Sequence, residues 1–254
     1  MLAAFGIDAT PSAIEPLTGG RGLTWRAGGR VLRPSVGDDE TVWKAETLRV
    51  LPHGDGFRAP RPILSVTGQW TVAGWEAWEW LPGATDESRV ADVIRAGRAF
   101  HAALASLPRP DFLDAPTDPW ACADQMAWEE LALPDSEVLQ RLAAAFAPVR
   151  ASSQLVHGDL LGNVMFDEAG PPAVIDWAPY WRPVSYAEAI VLIDAVCWND
   201  HPIASLSEWA TGEPEGRQML VRALTFRIAT LHLLGAWDGG LARRHAPTLD
   251  AVLA

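Results

Sequence analysis

Asp159, Asn163 and Asp176 are the side chains whose types and spacing best suit chemistry in this chain. They stand in Leu155-Val156-His157-Gly158-Asp159-Leu160-Leu161-Gly162-Asn163-Val164 and in Val174-Ile175-Asp176-Trp177. Two carboxylates and a carboxamide are hard oxygen donors, the type that holds a hard cation. Residues 164–166 are apolar, 167–172 are rich in turn formers and 173–175 are apolar again, which reads as a β-hairpin. The midpoint falls between Ala169 and Gly170, so Asn163 and Asp176 are expected at the open end. Directly opposed residues there have Cβ atoms roughly 4.5–5.5 Å apart. Asp159 lies one tight loop upstream of the same mouth, where a carboxylate is a natural general base for a hydroxyl. His157 fits a structural role better, fixing the loop by hydrogen bonding. A zinc site is disfavoured, because His101, His201, His232 and His245 show no ligand spacing.

The elements that must position these groups read as a β-rich first third and a helical remainder. Strands are expected on either side of Gly28-Gly29, with Pro34 ending the second. Asp38-Asp39-Glu40 suits the first turn of a helix over 38–51, where Val42, Ala45, Leu48 and Leu51 fall at helical spacing. Two more strands are expected over 60–66 and 70–80. Pro82-Gly83 then breaks the chain. Helices follow over 86–107, 120–133 and 136–149, then the hairpin, then helices over 186–198 and 215–237. This is an α+β pattern in two lobes, 1–82 and 83–254, with the hairpin embedded in the second and a cleft expected at the joint.

The chain has 254 residues, 49% of them hydrophobic, enough for a sizeable core. Its formal charge of −12 argues against nucleic acid as a partner, since phosphate backbones need a basic surface. Cys122 and Cys197 form neither a metal motif nor a disulfide framework, so a reduced, cytoplasmic setting is expected. The first residues do not read as a signal peptide and no apolar run would span a bilayer, so no membrane association is expected. The thirteen tryptophans are read mainly as packing.

Three further groups could contribute. Gly19, Gly20 and Gly22 would let backbone N–H groups approach phosphate oxygens, although a glycine cluster also makes an ordinary turn. No Gly-Lys-Ser/Thr follows, so this is not a Walker motif. Arg33, closing a strand, and Glu46, in the next helix, could form an ion pair that grips the anionic tail of a nucleotide. Lys44 competes as the cation but lies on the helix itself. Trp177, Tyr180, Trp181 and Arg182, with Glu188, Asp194 and Asp200 beyond them, offer an aromatic and acidic surround. It would suit an ammonium-bearing ligand, or these aromatics cement the hairpin to the helices.

Taken together these segments resemble the aminoglycoside phosphotransferase and choline kinase branch of the protein-kinase-like fold. The His157-Gly158-Asp159-Leu160…Asn163 and Ile175-Asp176-Trp177 segments are the specific part. Glu79-Trp80-Leu81-Pro82-Gly83 looks like the hinge of that branch, and Ala96-Gly97-Arg98-Ala99-Phe100-His101 like its first large-lobe helix. The resemblance implies a bilobal enzyme that moves a phosphoryl group from ATP, with Mg²⁺, to a hydroxyl of a small molecule such as an amino sugar or amino alcohol. Asp159 would be the catalytic aspartate, Asn163 and Asp176 would hold Mg²⁺, Gly19, Gly20 and Gly22 would cover the phosphates, and backbone near Glu79, Trp80 and Leu81 would receive adenine. The pattern departs from the family twice. Arg33 stands where lysine is usual, and the two differ in shape and hydration. Asp159 and Asn163 are four positions apart instead of five, a shortening of at most about 3.6 Å that Gly162 could absorb. A nucleotide-binding pseudokinase and a metal-dependent hydrolase are the alternatives.

Overall fold

The computed structural model describes residues 1–8, 14–17, 22–115 and 118–254. Its contacts divide the chain into two compact units, Met1–Ala84 with Met165–Ile175, and Thr85–Val164 with Asp176–Ala254.

The first unit is built on a five-stranded antiparallel sheet. Its strands are β1 (Ile14–Pro16), β2 (Trp25–Ala27), β3 (Arg30–Pro34), β4 (Thr71–Val72) and β5 (Trp75–Glu79), in the order β1-β2-β3-β5-β4. Gly28-Gly29 makes the turn between β2 and β3, as the sequence suggests. The single strand expected over 70–80 is instead a tight hairpin. Ala73 and Gly74 both have positive φ, 51° and 75°, the handedness that matches strand twist in a two-residue turn. The strand expected over 60–66 is an extended segment that runs beside β5. Ile63 donates to the Ala77 carbonyl and Glu79 to that of Arg61. Pro60 and Pro62 cannot donate, which keeps it from becoming a regular strand. Helix α1 (Asp38–Val50) follows β3 and opens on three acidic residues. Phe5, Ala27, Leu32 and Ala77 form the core.

Three short strands complete the sheet content around the hairpin: β6 (Ala84–Thr85), β8 (Val164–Asp167) and β9 (Gly170–Val174), in the order β6-β8-β9. The turn is Glu168-Ala169, shorter than the 167–172 segment expected, and Pro171 and Pro172 lie inside β9. Prolines are tolerated there because β9 ends the sheet. Arg58 N–H donates to the Pro172 carbonyl and Val174 N–H to that of Arg58, so the hairpin strands group with the first unit. The sequence reading had placed them with the helices.

The second unit is mainly helical. Its helices are α2 (Val90–Leu104), α3 (Pro119–Ala127), α4 (Glu137–Ala143), α5 (Val184–Trp198), α6 (Ala204–Gly212), α7 (Gly216–Leu233) and α8 (Gly239–Leu253). The expected helices are present, α5 beginning two residues earlier than expected and the others shorter, and α6 and α8 are additional. Helices α5 and α7 are buried on nearly all sides and form the unit's centre. Against them lies an antiparallel pair, β7 (Gln154–His157) and β10 (Pro179–Arg182). Among the described residues no helix is long and apolar enough to cross a membrane.

Candidate active site

The β7–β10 ladder sets the end from which the two aspartates emerge. Its register pairs Pro179 with His157 and Arg182 with Gln154, and Gly158 N–H extends it by donating to the Ala178 carbonyl at 3.0 Å. Continued by one residue, the register sets Asp159 opposite Trp177. Asp159 and Asp176 therefore leave the ladder at the same end. The sequence suggests the hairpin for Asp176 and a tight loop before it for Asp159, but gives no sign of β10, the strand that pairs with β7.

Gly158 is required by packing. A Cβ there would lie 2.3 Å from two ring carbons of Tyr180, so the ring of the partner strand occupies the space a side chain would need. Tyr180 in turn meets Phe226 edge-on at 5.9 Å, and Trp177 meets Phe100 at 5.5 Å. Trp177 and Tyr180 are thus core residues, buried to 4% and 9% exposure. Arg182 is held by Asp124 and Glu130. The aromatic run after Asp176 cements β10 to the helices, and the reading of Trp177 and Tyr180 as a ligand surround does not hold.

His157 is fully buried and performs the structural role expected of it. Its Nδ1 accepts from Asp159 N–H at 3.1 Å, and its own N–H donates to His101 Nε2 at 2.9 Å. Burial, aided by neighbouring His157, pushes His101 down to about 3, so that ring is neutral and able to accept. This relay ties the backbone at Asp159 to α2.

Beyond Asp159 the chain turns sharply. Asn163 N–H donates to the Leu160 carbonyl at 2.9 Å, and Gly162 takes φ +84°. The glycine closes the four-residue step in a conformation other residues resist. Asn163 Nδ2 donates to the Asp159 carbonyl at 2.7 Å and to Asp159 Oδ2 at 3.2 Å. Its amide nitrogen is committed, so the amide oxygen is the atom suited to a cation. Asp176 is exposed, two residues past β9, with φ +49°. Short polar residues tolerate that region best.

Arg227, which the sequence does not single out, links Asp159 to Asp194, which the sequence suggests only as part of an acidic surround. Arg227 on α7 donates from Nη2 to Asp159 Oδ1 at 2.8 Å and from Nε to Asp194 Oδ1 at 2.7 Å. Burial alone would lower the Arg227 pKa, but Asp194 and Asp159 outweigh it and hold the guanidinium above its usual range. Its signal in the sequence is a cation inside the apolar run of α7, a position that needs a carboxylate partner. Beside Asp159 opens a cavity of about 380 Å³ lined by Glu87, Trp120, Asp194, Trp198, Arg227 and Thr230, among others. Asp118 places Trp120 by capping α3, accepting from the N–H groups of Trp120 and Ala121.

The other expected site residues lie in the first unit. Arg33 pairs with Glu76, its register partner on β5, and not with Glu46. Glu46 is exposed and accepts from Trp70 Nε1 at 2.7 Å and Arg49 at 3.2 Å. Lys44 is buried and pairs with Glu40 one turn back. Gly22 is exposed with φ +69°, while Gly19 and Gly20 lie outside the described residues. Glu79 N–H is used by Arg61 and Trp80 N–H by Gly29, so these two donors serve the sheet. Leu81 is buried in a cluster with Met165 and Ala173.

A β-rich unit carrying helix α1, a helical unit and an aspartate-bearing loop between paired strands define the protein-kinase-like fold. Residues 30–180 match the model of the phosphotransferase enzyme family APH, and the chain belongs to that family, whose members are phosphotransferase enzymes. Solved structures agree on the fold. An aminoglycoside phosphotransferase from Alicyclobacillus acidocaldarius is 15% identical, with 94% of this chain and 90% of that one covered and a TM-score of 0.56. A thermostable mutant of aminoglycoside phosphotransferase APH(4)-Ia, in ternary complex with AMP-PNP and hygromycin B, is 17% identical over 95% and 93% at 0.60. A putative fructosamine-3-kinase from Haemophilus somnus is 14% identical over 100% and 95% at 0.53. No curated protein matches the sequence.

Proposed function

We propose that this protein transfers the γ-phosphoryl group of ATP, with Mg²⁺, to a hydroxyl of a small molecule that enters the cavity beside Asp159. The observation that carries the reading is the shared end of the β7–β10 ladder, from which both Asp159 and Asp176 emerge. Asp159 orients the acceptor hydroxyl and takes its proton as the new P–O bond forms and the bond to the ADP oxygen breaks. Asp176 and the Asn163 amide oxygen fit Mg²⁺, which favours a few oxygen ligands and keeps several waters. When bound, the ion supplies charge neutralisation on the nucleotide phosphates. Structural neighbours in complex with AMP-PNP or GDP support a nucleotide as the phosphoryl donor.

The acidic balance of the cavity suits an amino alcohol or amino sugar: Glu87, Asp159 and Asp194 outnumber Arg227 on its wall. A thermal shift with MgATP, followed by phosphoryl transfer to a panel of amino alcohols and amino sugars, tests the reading. Stabilisation by MgATP and a labelled product are expected. Absence of any shift at millimolar nucleotide would contradict it, and a shift without transfer or ATP turnover would favour a nucleotide-dependent binding protein.

A further inference from the structure

We infer that Arg227 is a positioning residue that fixes the Asp159 carboxylate in its working orientation, with Asp194 as the anchor that aims it. The inference rests on the reading of Asp159 as the base. Arg227 grips Asp194 as a fork, Nε to Oδ1 at 2.7 Å and Nη2 to Oδ2. Nη2 carries two hydrogens. The second goes to Asp159 Oδ1 at 2.8 Å. Asp159 Oδ2 receives Asn163 Nδ2 at 3.2 Å. Each carboxylate oxygen thus has a donor from a different element, α7 on one side and the loop before β8 on the other, so rotation of the carboxylate breaks at least one bond.

Exposure separates the anchor from the working group. The side chains of Asp194 and Arg227 are 10% and 12% exposed, and that of Asp159 is 49% exposed. Asp194 alone neutralises Arg227. Extending the fork to Asp159 gives a triad of net charge −1 and ties a half-exposed carboxylate on the cavity wall to a buried pair. Burying two charges costs desolvation that apolar residues of similar volume would avoid, so stability alone accounts poorly for the pair. Orientation of Asp159 accounts for it, and a fork with directional donors is what orientation needs. Lysine offers a point charge without that geometry.

The test uses the full chain. Arg227→Met alone leaves Asp194 buried without its cation, so the main variant is Arg227→Met with Asp194→Leu, which removes both charges. The readouts are the MgATP thermal shift, the kcat and nucleotide KM of MgATP turnover with water or the acceptor panel, and the χ1 coupling constants of Asp159. We expect kcat to fall by about 10- to 100-fold, as misplacement of a reacting group by about 1 Å does. Nucleotide KM should stay within about twofold by the same argument, since only the base moves. Asp159 should pass from one χ1 rotamer to an average. A folded double variant with wild-type kcat and a single Asp159 rotamer would overturn the role of Arg227. So would a parallel loss of nucleotide affinity, which would mark the pair as structural. If the double variant does not fold, Arg227→Lys is read by the same criteria. Asp159→Asn separates the two claims: lost turnover in it beside normal turnover in the double variant sinks the Arg227 role alone, whereas normal turnover in Asp159→Asn sinks the base assignment beneath it.

Discussion

Replacing His101 with glutamine should flatten the acid side of the stability profile. His101 is 1% exposed, and its Nε2 accepts the His157 N–H at 2.9 Å. Burial pushes it from 6.5 down to about 3. The unfolded chain therefore binds a proton on this residue at a pH where the folded chain does not, and the stability this confers is present above about pH 6.5 and lost as pH falls toward 3. One pKa unit is worth about 1.4 kcal/mol, so descent from pH 7 to pH 5 removes about 2 kcal/mol through this residue alone. Glutamine keeps an acceptor for the His157 N–H but has no proton to take up. Urea unfolding at pH 7 and pH 5, followed by fluorescence of the tryptophans, measures the difference. The wild-type loss between the two values should exceed that of His101→Gln by about 2 kcal/mol. His232 and His245 are also lowered by burial and act in both proteins, so subtraction isolates His101. Equal losses would refute the neutral, buried His101 and with it the relay that ties Asp159 to α2.

Three other outcomes are expected. Gly158→Ala must displace the Tyr180 ring, and unfolding measurements should show a loss of roughly 1–3 kcal/mol, the usual cost of overpacking, together with lost turnover. Gly162→Ala forces a side chain to φ +84°, so it should cost about 1–2 kcal/mol and raise the Mg²⁺ concentration needed for half-maximal turnover. Asp176→Ala should lower Mg²⁺ affinity, read by titrating the Mg²⁺-dependent part of the nucleotide thermal shift, by more than the roughly tenfold that loss of an outer-shell partner causes, while the shift without Mg²⁺ stays unchanged.

The parts of the site that lie close together in the chain were legible in the sequence. His157 ends β7, Asp159, Gly162 and Asn163 fall within the loop that follows it, and the need for a permissive residue at Gly162 follows from the short spacing alone. The hairpin was legible from apolar runs around turn formers, though its turn is tighter than those formers suggest. What depends on register was not. Arg33 faces Glu76 because β3 pairs with β5, a partner 43 positions away that no local pattern names. The β7–β10 ladder was hidden because Pro179-Tyr180-Trp181-Arg182 reads as an aromatic cluster rather than a strand. Arg227 comes from a helix that is buried on nearly every side, where periodicity carries no facing information. Asp194 looked like acidic surface for a cationic ligand, and only the pairing with Arg227 shows it as an anchor.

The most direct test of the account compares wild type with Asp159→Asn in transfer of labelled γ-phosphate from MgATP to the acceptor panel, with the nucleotide thermal shift measured on the same samples. Asparagine matches aspartate in size and can still meet Asn163, but it cannot take a proton. The account predicts that Asp159→Asn keeps the MgATP shift and loses transfer. Transfer at the wild-type rate would contradict it.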